Sequence, residues 1–139
     1  MLIPWFLAGK YAKKWQANVN YTRIADKGRF LMPREWGREP LYTFLPRERN
    51  EGLADTHAAN VQIKNDVNKE LSFNLGLGKY WLPNSAEANK NKYAMPSYNQ
   101  LNVEANYAFN SWLEGTKIKA LFVRKDGRTD CLENQKNYL

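Results

Sequence analysis

The sequence predicts an all-β fold: an antiparallel portion of a transmembrane β-barrel in which about five long strands form an open, curved sheet. Three observations predict this class. Apolar and polar residues alternate with a period of two along five segments, and helical spacing fits none of them as well. The segments approach the roughly 9–11 residues that a tilted strand needs to cross a bilayer. Long and short connections alternate between them, as in outer-membrane barrels.

The first three segments differ in how strictly they alternate. Segment 14–22 alternates Trp, Ala, Val and Tyr with Lys, Gln, Asn and Thr. Segment 53–64 alternates more weakly, because alanine occupies both of its faces. Segment 71–78 alternates leucine and phenylalanine with Ser, Asn and Gly. Gly76 and Gly78 fall on its polar face, where they let the strand bend or face a bulky neighbour.

The last two segments complete the predicted sheet. Segment 98–109 is the longest, with Leu, Val, Ala and Tyr opposite Gln, Asn and Glu. Segment 117–122 alternates lysine with Ile, Ala and Phe until Leu121 breaks the pattern. The chain contains 16 asparagines, many of them inside these alternations, and a face of Asn, Gln, Ser and Gly suits a water-filled interior. The connections are 24–52 and 83–96, which are long, and 65–70 and 110–115, which are short.

Composition narrows the class of protein. The 139 residues carry a formal net charge of +7 and have a mean hydropathy of −0.71, yet 14% of them are aromatic, which excludes a disordered basic tail. No apolar run is long enough for a membrane-spanning helix. The single cysteine, Cys131, and the single histidine exclude an internal disulfide framework and a Cys- or His-rich metal site. The apolar stretch at 1–8 has no basic region before it and is a poor secretory signal.

Catalytic motifs are absent from the sequence. It contains no Gly-rich phosphate loop, no Ser/His/Asp arrangement and no metal-ligand spacing. We therefore expect neither an enzyme nor a cofactor-binding protein.

Particular stretches of the chain resemble a known family. They are Trp15–Arg23, the loop Gly28–Gly52 with its motif Pro33-Arg-Glu-Trp-Gly-Arg-Glu-Pro40, and the later stretches Leu71–Gly78 and Lys92–Val103. Together they resemble the OprD-like outer-membrane porin family, in the branch known from Bacteroidetes-type bacteria. The resemblance runs from about Trp5 to Lys125, and the motif in the loop is its most specific part.

The resemblance implies both a function and an incomplete chain. Such porins are monomeric barrels in the cell outer membrane of Gram-negative bacteria, where small anionic or zwitterionic solutes diffuse passively through a water-filled channel. Residues 1–139 would be a C-terminal fragment that lacks the earlier strands and the final strand. The implied partners are outer-membrane lipid, small solutes and the rest of the barrel chain, with no nucleic acid. The family's main constriction loop comes from earlier strands, so we expect it to lie outside this chain.

Candidate pore-lining residues lie on the polar faces of the last two segments. The resemblance implies basic residues along the pore wall that guide carboxylates, and charges of one sign along a low-dielectric wall raise the local counter-ion concentration. Lys117 and Lys119 fit that role, with a solvated sheet edge as the alternative. Glu104 either pairs with one of these lysines or lines the channel beside Asn102 and Asn106.

A second candidate group is the basic part of the long loop. Four arginines alternate there with Glu35, Glu39, Glu48 and Glu51. They form either a funnel for anionic solutes or a self-paired loop network, and the second is the simpler arrangement. The outer-loop arginines are Arg34, Arg38, Arg47 and Arg49.

Two other functions stay open from the residues alone. A soluble lipocalin-like carrier would have the opposite polarity, with apolar side chains inside the sheet and polar ones outside. A basic β domain that binds nucleic acid would place aromatic and basic residues on one common face. Here Tyr107 and Phe109 are in phase with Leu and Val instead, which favours the porin.

Overall fold

The computed structural model describes residues 5–12, 14–32, 39 and 41–127, with side chains from residue 14 onward. The described residues form one antiparallel sheet of six strands in the order of the sequence. No helix among them is long and apolar enough to cross a membrane. The strands are β1 (Trp5–Ala12), β2 (Trp15–Ile24), β3 (Thr56–Asp66), β4 (Leu71–Trp81), β5 (Tyr98–Ala108) and β6 (Lys117–Gly127).

The prediction of an all-β, antiparallel, open sheet is confirmed, with one strand more than predicted. The five predicted segments correspond to β2–β6. Strand β1 precedes them, and its sequence begins with four consecutive apolar residues, Trp-Phe-Leu-Ala. Such a run has no period of two, so alternation could not identify it. Strands β3–β6 have 11 residues each.

The register of the strands separates two faces. On one, which we call the apolar face, Val19 pairs with Val61, Val61 with Leu77 and Leu77 with Leu101. The next residues point to the opposite side of the sheet, because successive side chains of a strand alternate. On that side, which we call the polar face, the neighbouring row consists of Asn20, Asn60, Gly78, Gln100 and Lys125.

Burial is reversed relative to an ordinary soluble sheet. Leu77 and Phe122 on the apolar face are 52% and 58% exposed, whereas Asn20, Asn60 and Gln100 on the polar face are each 2% exposed. The small buried cluster of Ala58, Tyr80 and Tyr98 also lies on the polar face, near the long connections. The interior of the described structure therefore lies between the polar face and the loops.

The connections place all long loops at one end of the sheet. Residues 25–55 and 82–97 join strands at that end, and the short turns 67–70 and 109–116 lie at the other. Within the first long loop, residues 41–50 fold back over the polar face instead of extending beyond the strands. We call this stretch the docking segment, and it defines the candidate site.

Candidate functional site

The docking segment is seated on two glycines of β4. A side-chain Cβ at Gly76 would lie 2.8 Å from Leu45 Cδ2, and one at Gly78 would lie 3.0 Å from Leu45 Cδ1. Leu45 is 2% exposed, so its side chain fills the space that the glycines leave. Of the two roles predicted for Gly76 and Gly78, facing a bulky neighbour therefore describes them here, and that neighbour is a loop residue.

Amide side chains of the sheet hold the backbone of the docking segment. Asn60 Nδ2 donates to the Thr43 carbonyl oxygen at 2.7 Å. Gln100 Nε2 and Asn102 Nδ2 both donate to the Pro46 carbonyl oxygen, at 2.8 and 3.0 Å. This contact gives a structural reason for the asparagines and the glutamine on the polar face. They satisfy loop carbonyl groups that are covered by the segment and would otherwise lose their hydrogen bonds to water.

Glu48 is a buried carboxyl group at the centre of this contact. Its Oε2 accepts hydrogen bonds from the Leu45 backbone N–H at 2.8 Å and from the Tyr80 hydroxyl at 2.7 Å, and its Oε1 accepts one from Asn50 Nδ2. Burial outweighs these donors and raises the pKa of Glu48 to about 7, and the neighbouring Glu39 carboxyl contributes to the rise. The docking segment thus contains a buried carboxyl group whose pKa lies near neutral pH.

Glu39 is the second buried carboxyl group of the site. Its Oε1 accepts hydrogen bonds from the backbone N–H groups of Asn50 and Glu51 at 2.7 and 2.8 Å, and its Oε2 accepts one from Asn50 Nδ2 at 2.9 Å. The Asn50 side chain therefore bridges the Glu39 and Glu48 carboxyl groups. Among the described residues, the donors to these two acids are backbone N–H groups, the Asn50 amide and the Tyr80 hydroxyl, and no described arginine is one of them.

An ion pair fixes the end of the long loop where the chain enters β3. Arg23 Nη2 lies 2.5 Å from Asp55 Oδ1, and Asp55 adopts a positive φ of 46°. The hydrogen bond from Arg23 holds the pKa of Asp55 below its ordinary value. Asp is one of the few residues that adopts this backbone conformation readily, and the pair closes the loop against β2.

The predicted pore-lining residues all lie on the last two strands, but their environments differ. Lys119 Nζ lies 2.5 Å from Glu104 Oε2, and Asn106 Nδ2 donates to Glu104 Oε1 at 2.8 Å. Asn102 is covered by the docking segment and is 4% exposed. Lys117 is exposed at the start of β6 beside the short turn. Pairing of Glu104 with a neighbouring lysine thus occurs, and the lysine is Lys119.

The predicted basic loop residues do not come together in the described structure. Arg47 is exposed, and its carbonyl oxygen accepts a hydrogen bond from Lys125 Nζ at 2.5 Å. Arg49 Nη2 lies 3.5 Å from Glu51 Oε2, and Arg49 Cζ lies 5.5 Å from the centre of the Tyr93 ring. Arg34 and Arg38 lie outside the described residues. Neither a funnel nor a network of four Arg–Glu pairs is seen among the described residues.

The docking segment is the part of the site that the sequence analysis did not predict. The sequence carries two signals of it, the glycines at polar positions of β4 and the apolar Phe44 and Leu45 inside a polar loop. Neither says which loop covers which face. Within residues 14–32, 39 and 41–127, no group of three or more His, Cys, Asp or Glu side chains is placed to hold a metal ion.

Removing the Tyr80 hydroxyl tests the contact around Glu48. We expect Tyr80→Phe to lower the free energy of unfolding by about 1–3 kcal/mol, because it deletes the hydroxyl that donates to the buried Glu48 carboxyl group and to the Thr43 carbonyl oxygen. Urea unfolding in detergent micelles, monitored by circular dichroism, measures this change in the free energy of unfolding. Tyr107→Phe is the matched control, since its hydroxyl contacts Glu70 at 3.4 Å at an exposed position and should cost less than about 0.5 kcal/mol. Equal losses for both variants would contradict the role of Tyr80.

Comparison with known proteins assigns no family. No family model matches the chain. No match was found among curated proteins or among solved structures. The function is therefore argued from the sequence and from the geometry of the two faces of the sheet.

Proposed function

We propose that this chain forms part of the wall of an outer-membrane porin similar to the OprD-like family. The observation that carries the proposal is the reversed burial of the sheet. Large apolar side chains cover the exposed face, and a hydrogen-bonded amide network lies on the covered one. Transmembrane barrels have this polarity, because their outer surface contacts lipid and their interior contacts water.

Aromatic residues at both ends of the apolar face support a membrane orientation. Trp15 and Tyr107 lie towards the short turns, and both are exposed. Trp81 and Tyr21 lie towards the long loops, where the Tyr21 hydroxyl is 2.5 Å from His57 Nδ1. Tyr and Trp concentrate at membrane interfaces, where the ring contacts apolar chains and its polar edge contacts water or headgroups.

The spacing of these two aromatic rows fits the thickness of a bilayer. Strand β4 runs from Leu71 to Trp81, which is about 33 Å at about 3.3 Å per residue. For a strand tilted by about 40°, this corresponds to about 25 Å along the membrane normal, the height of the apolar band in outer-membrane barrels. On β4 the apolar rows from Leu71 to Leu77 span about 20 Å along the strand at about 3.3 Å per residue, and the polar row of Lys79, Asn99 and Asp126 separates them from Trp81.

The two alternative functions fit these faces less well. A lipocalin-like carrier would cover the apolar face and expose the amides, whereas the covered side chains here are Asn20, Asn60 and Gln100. A nucleic-acid platform needs exposed aromatic rings beside cations on one face. The polar-face rings of Tyr80 and Tyr98 are instead stacked and buried, 4.7 Å apart.

The proposed transport is passive diffusion through the completed barrel. Among the described residues, β1 and β6 are the edge strands of the sheet, and their outer backbone groups need hydrogen-bond partners in lipid, so the proposal requires further strands that complete the wall. Anionic or zwitterionic solutes are the class that the resemblance implies for the whole channel. Sequencing of the DNA on both sides of this frame tests whether further strands belong to the same chain.

Two adjacent positions on β6 test which face contacts lipid. Phe122 and Leu121 are 58% and 37% exposed, and they point to opposite faces. In a Cys131→Ser background, we expect a fluorophore on Phe122→Cys to be quenched by a brominated, micelle-forming detergent. A fluorophore on Leu121→Cys should be quenched by aqueous iodide, because the polar face is in contact with water.

The outcomes of this experiment separate the proposal from its alternatives. Quenching of the two labels in the opposite order would contradict the porin proposal. So would a purified chain that folds as a stable monomer in buffer and does not bind detergent. Far-UV circular dichroism with and without detergent distinguishes the second case from simple failure to fold.

A further inference from the structure

A cavity of about 370 Å³ lies on the polar face beside the docking segment. It is on the side of the segment that faces the short turns, and it falls within the roughly 300–1,000 Å³ of small-ligand pockets. Two kinds of wall enclose it. Phe44, Leu45 and Pro46 of the docking segment line one side, and residues of β2–β6 line the other.

The polar wall of the cavity consists mainly of amide side chains. Gln16 makes no side-chain hydrogen bond to any described residue, and Gln62 Nε2 makes only long ones, at 3.3 and 3.4 Å. Asn74 uses its Nδ2 on Glu104, which leaves its carbonyl oxygen as an acceptor. Several donors and acceptors of the wall are therefore uncommitted. The amides that line the cavity are Gln16, Asn18, Gln62, Asn74 and Asn102.

The charged side chains around the cavity are already paired. Lys64 Nζ lies 3.0 Å from Asp66 Oδ1, and Lys119 Nζ lies 2.5 Å from Glu104 Oε2. Glu104 also accepts hydrogen bonds from Asn74 and Asn106, both at 2.8 Å. No uncompensated charge lines the described cavity. A charged solute would lose hydration on entering it and would gain no counter-ion in return.

We propose that this cavity is a binding subsite for an uncharged, polyhydroxylated solute of mono- or disaccharide size. A hydroxyl group is one donor and two acceptors, and an amide side chain offers both of the complementary groups. The C–H face of a sugar ring would pack on Phe44 and Pro46, while its hydroxyl groups would bind the amides opposite. The inference rests on the proposed function in one respect, because the polar face must be reached by solutes from the channel.

Titration with a matched pair of sugars tests the subsite. The probe is maltose, and its charged counterpart is the uronate of maltose, in which C6 of the non-reducing ring is a carboxylate and both rings are kept. The chain is held in lauryldimethylamine oxide micelles, whose headgroup is not a sugar. We expect saturable shifts of the Gln16 and Gln62 side-chain amide resonances in NMR spectra, with a millimolar Kd for maltose. The uronate should bind at least tenfold more weakly. Equal or tighter binding of the uronate, or no saturable shift with maltose, would overturn the subsite.

Two variants show whether the response comes from this cavity. Gln62→Leu should weaken maltose binding at least fivefold, because it removes an amide whose Nε2 makes only long hydrogen bonds, at 3.3 and 3.4 Å, and whose oxygen accepts none from a described residue. Asn99→Leu is the matched control, an exposed amide on the apolar face, and should leave the Kd unchanged. A Gln62→Leu chain that stays folded and keeps the parent Kd would overturn the assignment.

The labels on β6 keep this test separate from that of the porin proposal. If the Phe122 label contacts detergent but no amide resonance responds to maltose, the porin proposal stands and the subsite fails. If the chain folds in buffer without detergent and still binds maltose through Gln62, the porin proposal fails and the sugar site belongs to another kind of protein.

Discussion

Gly78→Val is expected to cost about 3 kcal/mol of the free energy of unfolding and to release the docking segment from the sheet. A Cβ at position 78 would lie 2.7 Å from Cε2 and Oη of Tyr80 and 3.0 Å from Leu45 Cδ1. The Tyr80 ring cannot move away freely, because it is 1% exposed and its hydroxyl is bonded to Glu48. The added methyl groups therefore overpack the contact, and such changes typically cost about 1–3 kcal/mol.

Two measurements check the Gly78→Val prediction. Urea unfolding in micelles gives the loss of stability. Modification of a Thr43→Cys reporter in a Cys131→Ser background reports docking, since Thr43 is fully buried in the parent. Gly28→Val is the matched control, because a Cβ there would have no neighbour within 4 Å. A Gly78→Val chain with parent stability and a protected reporter would show that Leu45 is not seated on β4.

Glu48→Gln is expected to remove a dependence of stability on pH of roughly 3 kcal/mol. Burial raises the pKa of Glu48 from its ordinary value of 4.5 to about 7. Between these values the folded chain holds a proton that the unfolded chain has released. The free energy of unfolding of the parent therefore falls as the pH rises through this window and is level above it. Each pKa unit corresponds to about 1.4 kcal/mol, which gives the expected size.

The test compares the free energy of unfolding of parent and variant as a function of pH, so that the contributions of other titrating groups cancel. The difference in stability between the parent and Glu48→Gln should change across the window from about pH 4.5 to 7 and stay constant above it. The carboxyl group of Asp55 changes the stability only below this window. Its pKa is lowered, so its contribution to the free energy of unfolding is lost only as the pH falls further. Glu114→Gln in the exposed turn is the control and should run parallel to the parent. Parallel profiles for Glu48→Gln would contradict the buried position of Glu48.

The strands and their faces could be predicted from the sequence because a half-covered strand carries its own periodicity. The residues predicted on one face all lie on the apolar face, where five are exposed and Leu101 is half-buried; the other five are Val19, Leu75, Val103, Tyr107 and Phe122. Strand β1 escaped prediction because its apolar residues are consecutive. Whether a strand shows alternation depends only on about ten neighbouring residues, both in the predicted strands and in β1.

The docking segment could not be predicted because its contacts join distant parts of the chain. Pro46 meets Gln100 and Asn102 across 54 and 56 positions, and nothing in the sequence near Pro46 specifies them. The hydrogen-bond partners of the two buried loop acids could not be predicted for the same reason. Glu39 and Glu48 stand beside arginines in the sequence, which suggested ion pairs, whereas the fold turns them towards backbone N–H groups, Asn50 and Tyr80. Which partner a loop carboxylate finds is decided by tertiary structure.

The strand order constrains the order in which parts of the chain fold. Each strand pairs with the next one along the chain, so the sheet can grow by one strand at a time, with the long loops 25–55 and 82–97 as its two costlier closures. The Thr43 carbonyl oxygen of the docking segment can bind Asn60 once β3 has formed, but the Pro46 carbonyl oxygen needs Gln100 on β5 and the Arg47 carbonyl oxygen needs Lys125 on β6, 78 positions away. The segment therefore completes its contacts with the amide-rich face only when the last strands are in place, as a late step of assembly.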